Sequence, residues 1–166
     1  MILFVAALLH EIGLIVNVRS NHKHALYLIR YSDMFGLSQD ELLLVGLVAR
    51  YHRRAFPQPS HDGYGTLSQQ HRVIVAKLAA ILRLAIALDD TRSGRIREIE
   101  CVLDGKQLVI NVPGVDDVSL EQVAMRGNSG LFRDVFGMPV LLRAGKRISP
   151  SISLIDCAEL CHDDHW

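Results

Sequence analysis

Cysteine is scarce in this chain and its number is odd: three in 166 residues. That excludes a disulfide framework as the basis of the fold and suits a reducing compartment, so a cytoplasmic location is expected. Net charge is missing too. Lys plus Arg and Asp plus Glu each total 18, so no overall field draws the chain to nucleic acid or to an anionic membrane. Nor is there a long hydrophobic run. The opening "MILFVAALLHEIGLIV" is interrupted by His10 and Glu11 and lacks the basic start of a secretion signal. No stretch reaches the ~20 apolar residues that span a bilayer. Repeats and low-complexity segments are absent, and "MRGNSG" does not lead from a strand into a long helix as a phosphate-binding loop does. With 49% hydrophobic residues, the apolar content is enough for a core of one domain and a small appendage.

What is present reads first as helices. Residues 2–11 predict a helix that Gly13 ends. It begins without a capping residue, so further chain is expected upstream. Asn21 is placed to cap a second helix, "HKHALYLIRYSD", whose Ala25, Leu26, Leu28 and Ile29 recur at helical spacing. Ser38 and Glu41 form a capping box for a third, which runs to about Ala55 before Pro57 and Pro59 stop it. Thr66 and Gln69 look like a second box, opening a long helix over 67–89. Residues 73–88 are apolar except Lys77 and Arg83. A helix apolar nearly all round belongs inside a bundle or under a partner.

The pattern changes after Gly94. "IREIECVLDGKQLVINV" alternates around Asp104-Gly105 and predicts a hairpin. "VSLEQVAMR" and "LFRDVFG" predict short helices, and "MPVLLRA" and "ISPSISLI" further strands. The fold class expected is α+β, mainly α: a helical domain at 1–91, a small mixed α+β unit with a hairpin at 95–155, and an acidic tail at 156–166. Cys157, Cys161, His162 and His165 in the tail have donor chemistry for zinc. Their spacing is not that of a structural knuckle, and adjacent ligands at 161 and 162 make a shared tetrahedral geometry awkward.

Charge is uneven although it sums to zero. From Arg19 to Arg54 there are six basic residues (Arg19, Lys23, Arg30, Arg50, Arg53, Arg54) against three acids (Asp33, Asp40, Glu41). Arg50, Arg53 and Arg54 lie at i, i+3 and i+4 on the expected third helix. Packing of helices two and three would bring Arg19, His22 and Lys23 toward them. Guanidinium forks suit phosphate oxygens, so Arg19, His22, Lys23, Arg50, His52, Arg53 and Arg54 are the candidate phosphate-binding residues. The alternative is a solvated face with ion pairs to Asp33 or Glu41. Tyr27 and Tyr51 are expected as core or partly buried aromatics. His10, Glu11, His24 and His52 are the candidates for a divalent-metal site that would activate water. In the competing reading His10 is a hydrogen-bonded bundle histidine and Glu11 a structural carboxylate.

"AALLHEIGLIVN", "NHKHALYLIRYSDMFGLSQDELLLVGLVARYHRRAFP" and "VAKLAAILRLAIALDDTR" occur in the order and spacing of one family. Through them the chain resembles the C-terminal region of the exopolyphosphatase and guanosine pentaphosphate phosphohydrolase (Ppx/GppA) family. The resemblance implies an HD-like helical bundle related to metal phosphohydrolases, upstream catalytic domains of the actin-like ATPase type, and a homodimer. It implies polyphosphate or guanosine pentaphosphate as substrate, with Mg²⁺ or Mn²⁺ serving the full-length enzyme and no cofactor in this region. It also implies a degenerate metal site. Glu11 stands where the family of metal enzymes pairs Asp with His, and Ile86 stands where the distal Asp belongs. Asp89, ~4.5 Å further along the helix axis, is too displaced to replace it. The expected function is therefore that of an accessory domain of an exopolyphosphatase-like enzyme, contributing substrate retention and dimerisation. The alternatives are an accessory domain for guanosine pentaphosphate hydrolysis, a metal-dependent HD phosphohydrolase and a purely structural dimerisation domain.

Overall fold

The computed structural model describes residues 1–145; the predicted strand "ISPSISLI" and the tail cysteines and histidines lie outside them. The fold is α+β and mainly α, with six α-helices and a three-stranded mixed sheet among the described residues. Two compact units divide between Ile86 and Ala87.

The first unit is helical. α1 spans Ile2–Leu9 and passes through His10 and Glu11 into a 3₁₀ turn, Ile12–Ile15. Gly13 therefore does not end the helix as expected. It lies buried inside the 3₁₀ turn, where a Cβ would stand 2.1 Å from the Asn21 carbonyl oxygen, so glycine is required by close backbone packing. α2 is Asn21–Arg30. Asn21 is not its cap but a buried residue of its first turn, and the preceding loop is held by Asn17 Oδ1, which accepts from the amides of Arg19 (2.8 Å) and Ser20 (3.3 Å).

α3, Gln39–Arg50, begins on the expected capping box. Ser38 Oγ accepts from the Glu41 amide, and the Glu41 carboxylate accepts from the Ser38 amide. It stops at Arg50 rather than near Ala55. The carbonyl of Tyr51, the residue after the last turn, accepts instead from the Arg83 guanidinium at 2.8 Å. α4 is Gln69–Leu88. Ser68 caps it by accepting from the His71 amide, while the Thr66 hydroxyl bonds to the Gly63 carbonyl. Ala25, Leu26 and Ile29 of α2, Leu42, Val45, Leu47 and Val48 of α3, and Val75 and Ala79 of α4 are core residues. Tyr51 joins them, whereas Tyr27 is exposed and packs against Tyr31, ring centroids 4.8 Å apart.

In the second unit β1 (Glu100–Asp104) and β2 (Gln107–Val112) form the hairpin, with Gly105 and Lys106 as its two-residue loop. Gly105 has φ +61°, as the first position of such a loop demands. α5 (Ser119–Asn128) and α6 (Gly130–Phe136) then carry the chain to β3 (Val140–Ala144), which pairs parallel with β2 and leaves β2 central. A parallel neighbour cannot be reached by a tight turn, and the two helices supply the crossover. Glu121 of α5 is fully buried, and both its oxygens accept from Arg95 (3.1 and 2.5 Å). These charged hydrogen bonds hold the Glu121 carboxyl below its usual range.

Two glycines behave oppositely. Gly13→Ala forces backbone apart and should cost about 1–3 kcal/mol. Gly127, in α5, meets nothing within 4 Å of a Cβ, so Gly127→Ala should gain about 0.5–1 kcal/mol. Thermal unfolding of both variants checks the pair: the first lowers the melting temperature and the second raises it.

Candidate functional site

α2 and α3 are joined by the short connection 31–38 and pack together, so the start of α2 and the end of α3 lie at one end of the pair. A small residue permits that approach: a Cβ on Gly46 would meet the Leu26 carbonyl oxygen at 3.3 Å. At that end is a cavity of about 340 Å³ lined by Arg19, His22, Arg50, Arg53, Arg54 and Ala55. Arg19 comes from the Asn17-braced loop, His22 from the first turn of α2 and Arg50 from the last turn of α3. Arg53 and Arg54 come from the turn that follows. Helical i, i+4 spacing is not what unites Arg50 with Arg54, because α3 has ended; the turn does it.

The lining holds four guanidinium groups and an imidazole, and no carboxylate. Arg19, Arg53 and Arg54 are exposed, while Arg50 and His22 are half-buried. The Nε of Arg50 is buried with no hydrogen-bond partner among the described residues. Burial first, and then the charge of Arg50, with Lys23, Arg53 and His24 behind it, hold the His22 pKa below its ordinary value. Like charges on partly desolvated side chains repel, and a polyanion entering among them replaces that repulsion with charge-assisted hydrogen bonds.

Five of the seven candidate phosphate ligands thus line one cavity. Lys23 and His52 do not. Lys23 is exposed on α2. His52 is buried beneath the turn, its Nδ1 2.6 Å from the Ala49 carbonyl and its ring edge-on to His10 at 5.1 Å. Burial pulls its pKa down to about 4; the Ala49 carbonyl opposes that, while His10, Arg53 and His22 reinforce it. His10 Nδ1 lies 2.7 Å from the Ala7 carbonyl, and Glu11 and His24 are half-buried. Among the described residues no three or more His, Cys, Asp or Glu side chains are grouped as a metal site requires. Ile86 and Asp89 fall near the end of α4, Ile86 half-buried and Asp89 exposed, with Asp89 accepting from the Gly94 amide.

Two contributors were not foreseen. Arg83 reaches from α4 to the turn carrying Arg53 and Arg54; its sequence signal was a charge in an otherwise apolar run. His61, in the loop after Pro59, has no such signal. Its Nδ1 lies 2.8 Å from the Tyr51 hydroxyl, and Tyr64 packs edge-on to the Tyr51 ring, so the loop seals the end of α3. Burial, opposed by Arg50, pushes the Tyr51 hydroxyl up to about 12.

A family model described as Ppx/GppA phosphatase, domain III, matches residues 1–124. Similar curated proteins are named guanosine-5'-triphosphate,3'-diphosphate pyrophosphatase. One from Pseudoalteromonas translucida is 33% identical over 87 residues, covering 52% of this chain and 17% of that protein. One from Vibrio vulnificus is 28% identical over 116 residues, 68% and 22%. One from Aeromonas hydrophila is 30% identical over 113 residues, 68% and 22%. The chain spans about a fifth of the length of these relatives. Among the described residues no helix is long and apolar enough to cross a membrane.

The histidines make two pH experiments informative. A folded-state pKa for His52 below its unfolded value means that stability is full above about pH 6.5 and is lost as pH falls toward 4. The loss amounts to up to about 3 kcal/mol. His52→Asn, which keeps a donor for the Ala49 carbonyl but cannot ionise, should flatten that acid limb in melting curves from pH 7.5 to 4.5. For the cavity, sulfate is a suitable probe because its charge is constant over this range. Sulfate binding should strengthen as pH falls and His22 gains its proton beside the anion, and titration calorimetry of His22→Gln should show that dependence reduced.

Proposed function

The chain belongs to the Ppx/GppA phosphatase family as its domain III, and from that premise we propose that its helical unit retains a multiply charged phosphate substrate for catalytic machinery outside this region. The observation that carries the proposal is the convergence of Arg19, His22, Arg50, Arg53 and Arg54 on one cavity with no carboxylate in its lining. Four guanidinium groups offer planar pairs of donors, which match phosphate oxygens, and the imidazole adds a donor that charges when the anion arrives. A neutral or cationic ligand would be repelled or left without acceptors. In this proposal bond cleavage takes place in upstream domains, expected from the family resemblance to be of the actin-like type, with Mg²⁺ or Mn²⁺ bound there.

The names of the relatives support guanosine pentaphosphate as the substrate. Inorganic polyphosphate is a second reading. It is favoured by the cavity lining, which has no Tyr, Phe or Trp on which a guanine would stack. Homodimerisation is part of the proposal as well. Phe4, Leu8 and Ile15 are between 67% and 84% exposed on α1 and the 3₁₀ turn, an apolar surface of the kind that assembly covers.

Titration of guanosine pentaphosphate and of long polyphosphate into the chain tests the retention site. Each charge-assisted hydrogen bond removed should cost about 1.5–3 kcal/mol. The triple variant Arg50→Ala, Arg53→Ala, Arg54→Ala should therefore bind either anion at least tenfold more weakly. It should also show a shallower dependence on salt. Binding equal to wild type would overturn the proposal. In a protein that includes the upstream domains, the same substitutions should slow orthophosphate release from long polyphosphate more than from short chains; equal losses at every length would remove the retention role.

A further inference from the structure

We propose that Arg83 is the positioning residue of the anion cavity: without touching the ligand, it fixes the turn that carries Arg53 and Arg54. The inference rests on reading that cavity as a phosphate site and concerns what holds it in shape. Arg83 is 3% exposed and does not line the cavity. Its Nε donates to the Tyr51 carbonyl at 2.8 Å and its Nη2 to the Ala55 carbonyl at 2.5 Å. Between those two anchored carbonyls lie only His52, Arg53 and Arg54. Ala55 is both an anchor and part of the cavity wall.

The geometry answers a problem the cavity creates. Arg50, Arg53 and Arg54 place three like charges within five consecutive positions, and without a ligand their repulsion favours an open turn. A guanidinium can hold both ends at once because its donors are fixed in a planar fork; a lysine ammonium has no such fork. Arg83 makes no ion pair with a carboxylate among the described residues, so its own charge is met by carbonyl dipoles, one of them at the negative end of α3. The Phe56 ring packs against the guanidinium, its centroid 5.5 Å away. Burial lowers the Arg83 pKa to about 10, which still leaves it charged at neutral pH. Next to the first anchor, the His52 ring is held against the Ala49 carbonyl of α3, a further tie between the turn and the helix.

The test uses inorganic tripolyphosphate as the probe and the whole chain as the protein. Arg83→Met, Arg83→Lys and Leu84→Ala are compared by titration calorimetry, by melting temperature and by amide hydrogen exchange. Leu84 is buried on the same helix and reports what general destabilisation does. Displacing the turn forfeits about one charged hydrogen bond to the ligand, so both Arg83 variants should bind about tenfold more weakly. Exchange at residues 52–55 should accelerate in both. Leu84→Ala should melt earlier while its binding and its exchange at 52–55 stay near wild type. If Arg83→Met does not fold, Arg83→Lys decides on the same two measurements. Wild-type binding in Arg83→Lys with unchanged exchange at 52–55 overturns the positioning role. So does a loss of binding in Leu84→Ala that matches the Arg83 variants at equal melting loss. A wild-type chain that does not bind tripolyphosphate overturns the phosphate reading itself, and the positioning role with it.

Discussion

A guanidinium buried away from carboxylates is tolerable only where backbone oxygen surrounds it, and the end of α3 provides that setting for Arg83. A helix leaves its last carbonyls without intrahelical partners. Here the carbonyl of Tyr51 and, beyond it, that of Ala55 accept from one side chain of α4. Two costs cancel in this arrangement: carbonyls that would be unpaired at a buried helix end, and a cation that would be unpaired in a core. The exchange ends α3 at Arg50, five residues before the prolines alone would end it. It also turns a stretch that would have continued as helix into a fixed loop. Had α3 continued, Arg53 and Arg54 would lie one helical turn beyond Arg50 on the surface of α3. With the loop, both share a cavity with Arg50, Arg19 and His22.

The cavity shows how a chain of zero net charge presents a strongly cationic site. Two nearby carboxylates are engaged away from the cavity. Glu41 closes the capping box of α3, and Asp62 pairs with Arg30 at 3.4 Å. Removing carboxylates from the lining matters more than adding cations, because one carboxylate among the arginines would satisfy them internally. The half-buried His22 adds a proton-dependent element. Burial and the neighbouring cations hold its pKa below the ordinary value, and an anion bound beside it would favour the charged form.

The second unit solves its own buried charge differently. Glu121 is enclosed completely and is met by a bidentate arginine, Arg95, rather than by backbone. A carboxylate accepts only, so it requires a donor fork; a guanidinium donates only, so carbonyls suffice for it. The contrast explains why Arg83 can be buried without a carboxylate, whereas a buried glutamate without a strong donor would take up a proton.

Local features were legible in the residues themselves. Apolar periodicity located the helices, the Ser38–Glu41 pair located the start of α3, and alternation on either side of Gly105 located the hairpin, with the turn one residue later than expected. The three quoted segments carried the family. These signals are readable because the interacting groups lie within a few positions of each other. The basic residues Arg19, His22, Arg50, Arg53 and Arg54 were legible as candidates, but not the reason they meet, because helical spacing pointed to a longer α3. What ends that helix is a side chain 32 residues from Tyr51 and 28 from Ala55. The need for glycine at position 13 likewise comes from a backbone oxygen of another element, 2.1 Å from where a Cβ would be. His52 illustrates the same limit: its neighbours Arg53 and Arg54 face the cavity while it turns inward to Ala49 and His10. Sequence alone determined which segments are helical or extended and where basic side chains are concentrated. Only tertiary packing decided which carbonyls Arg83 reaches, and through them where α3 ends and which cations share a cavity, since those contacts form only after distant helices have come together.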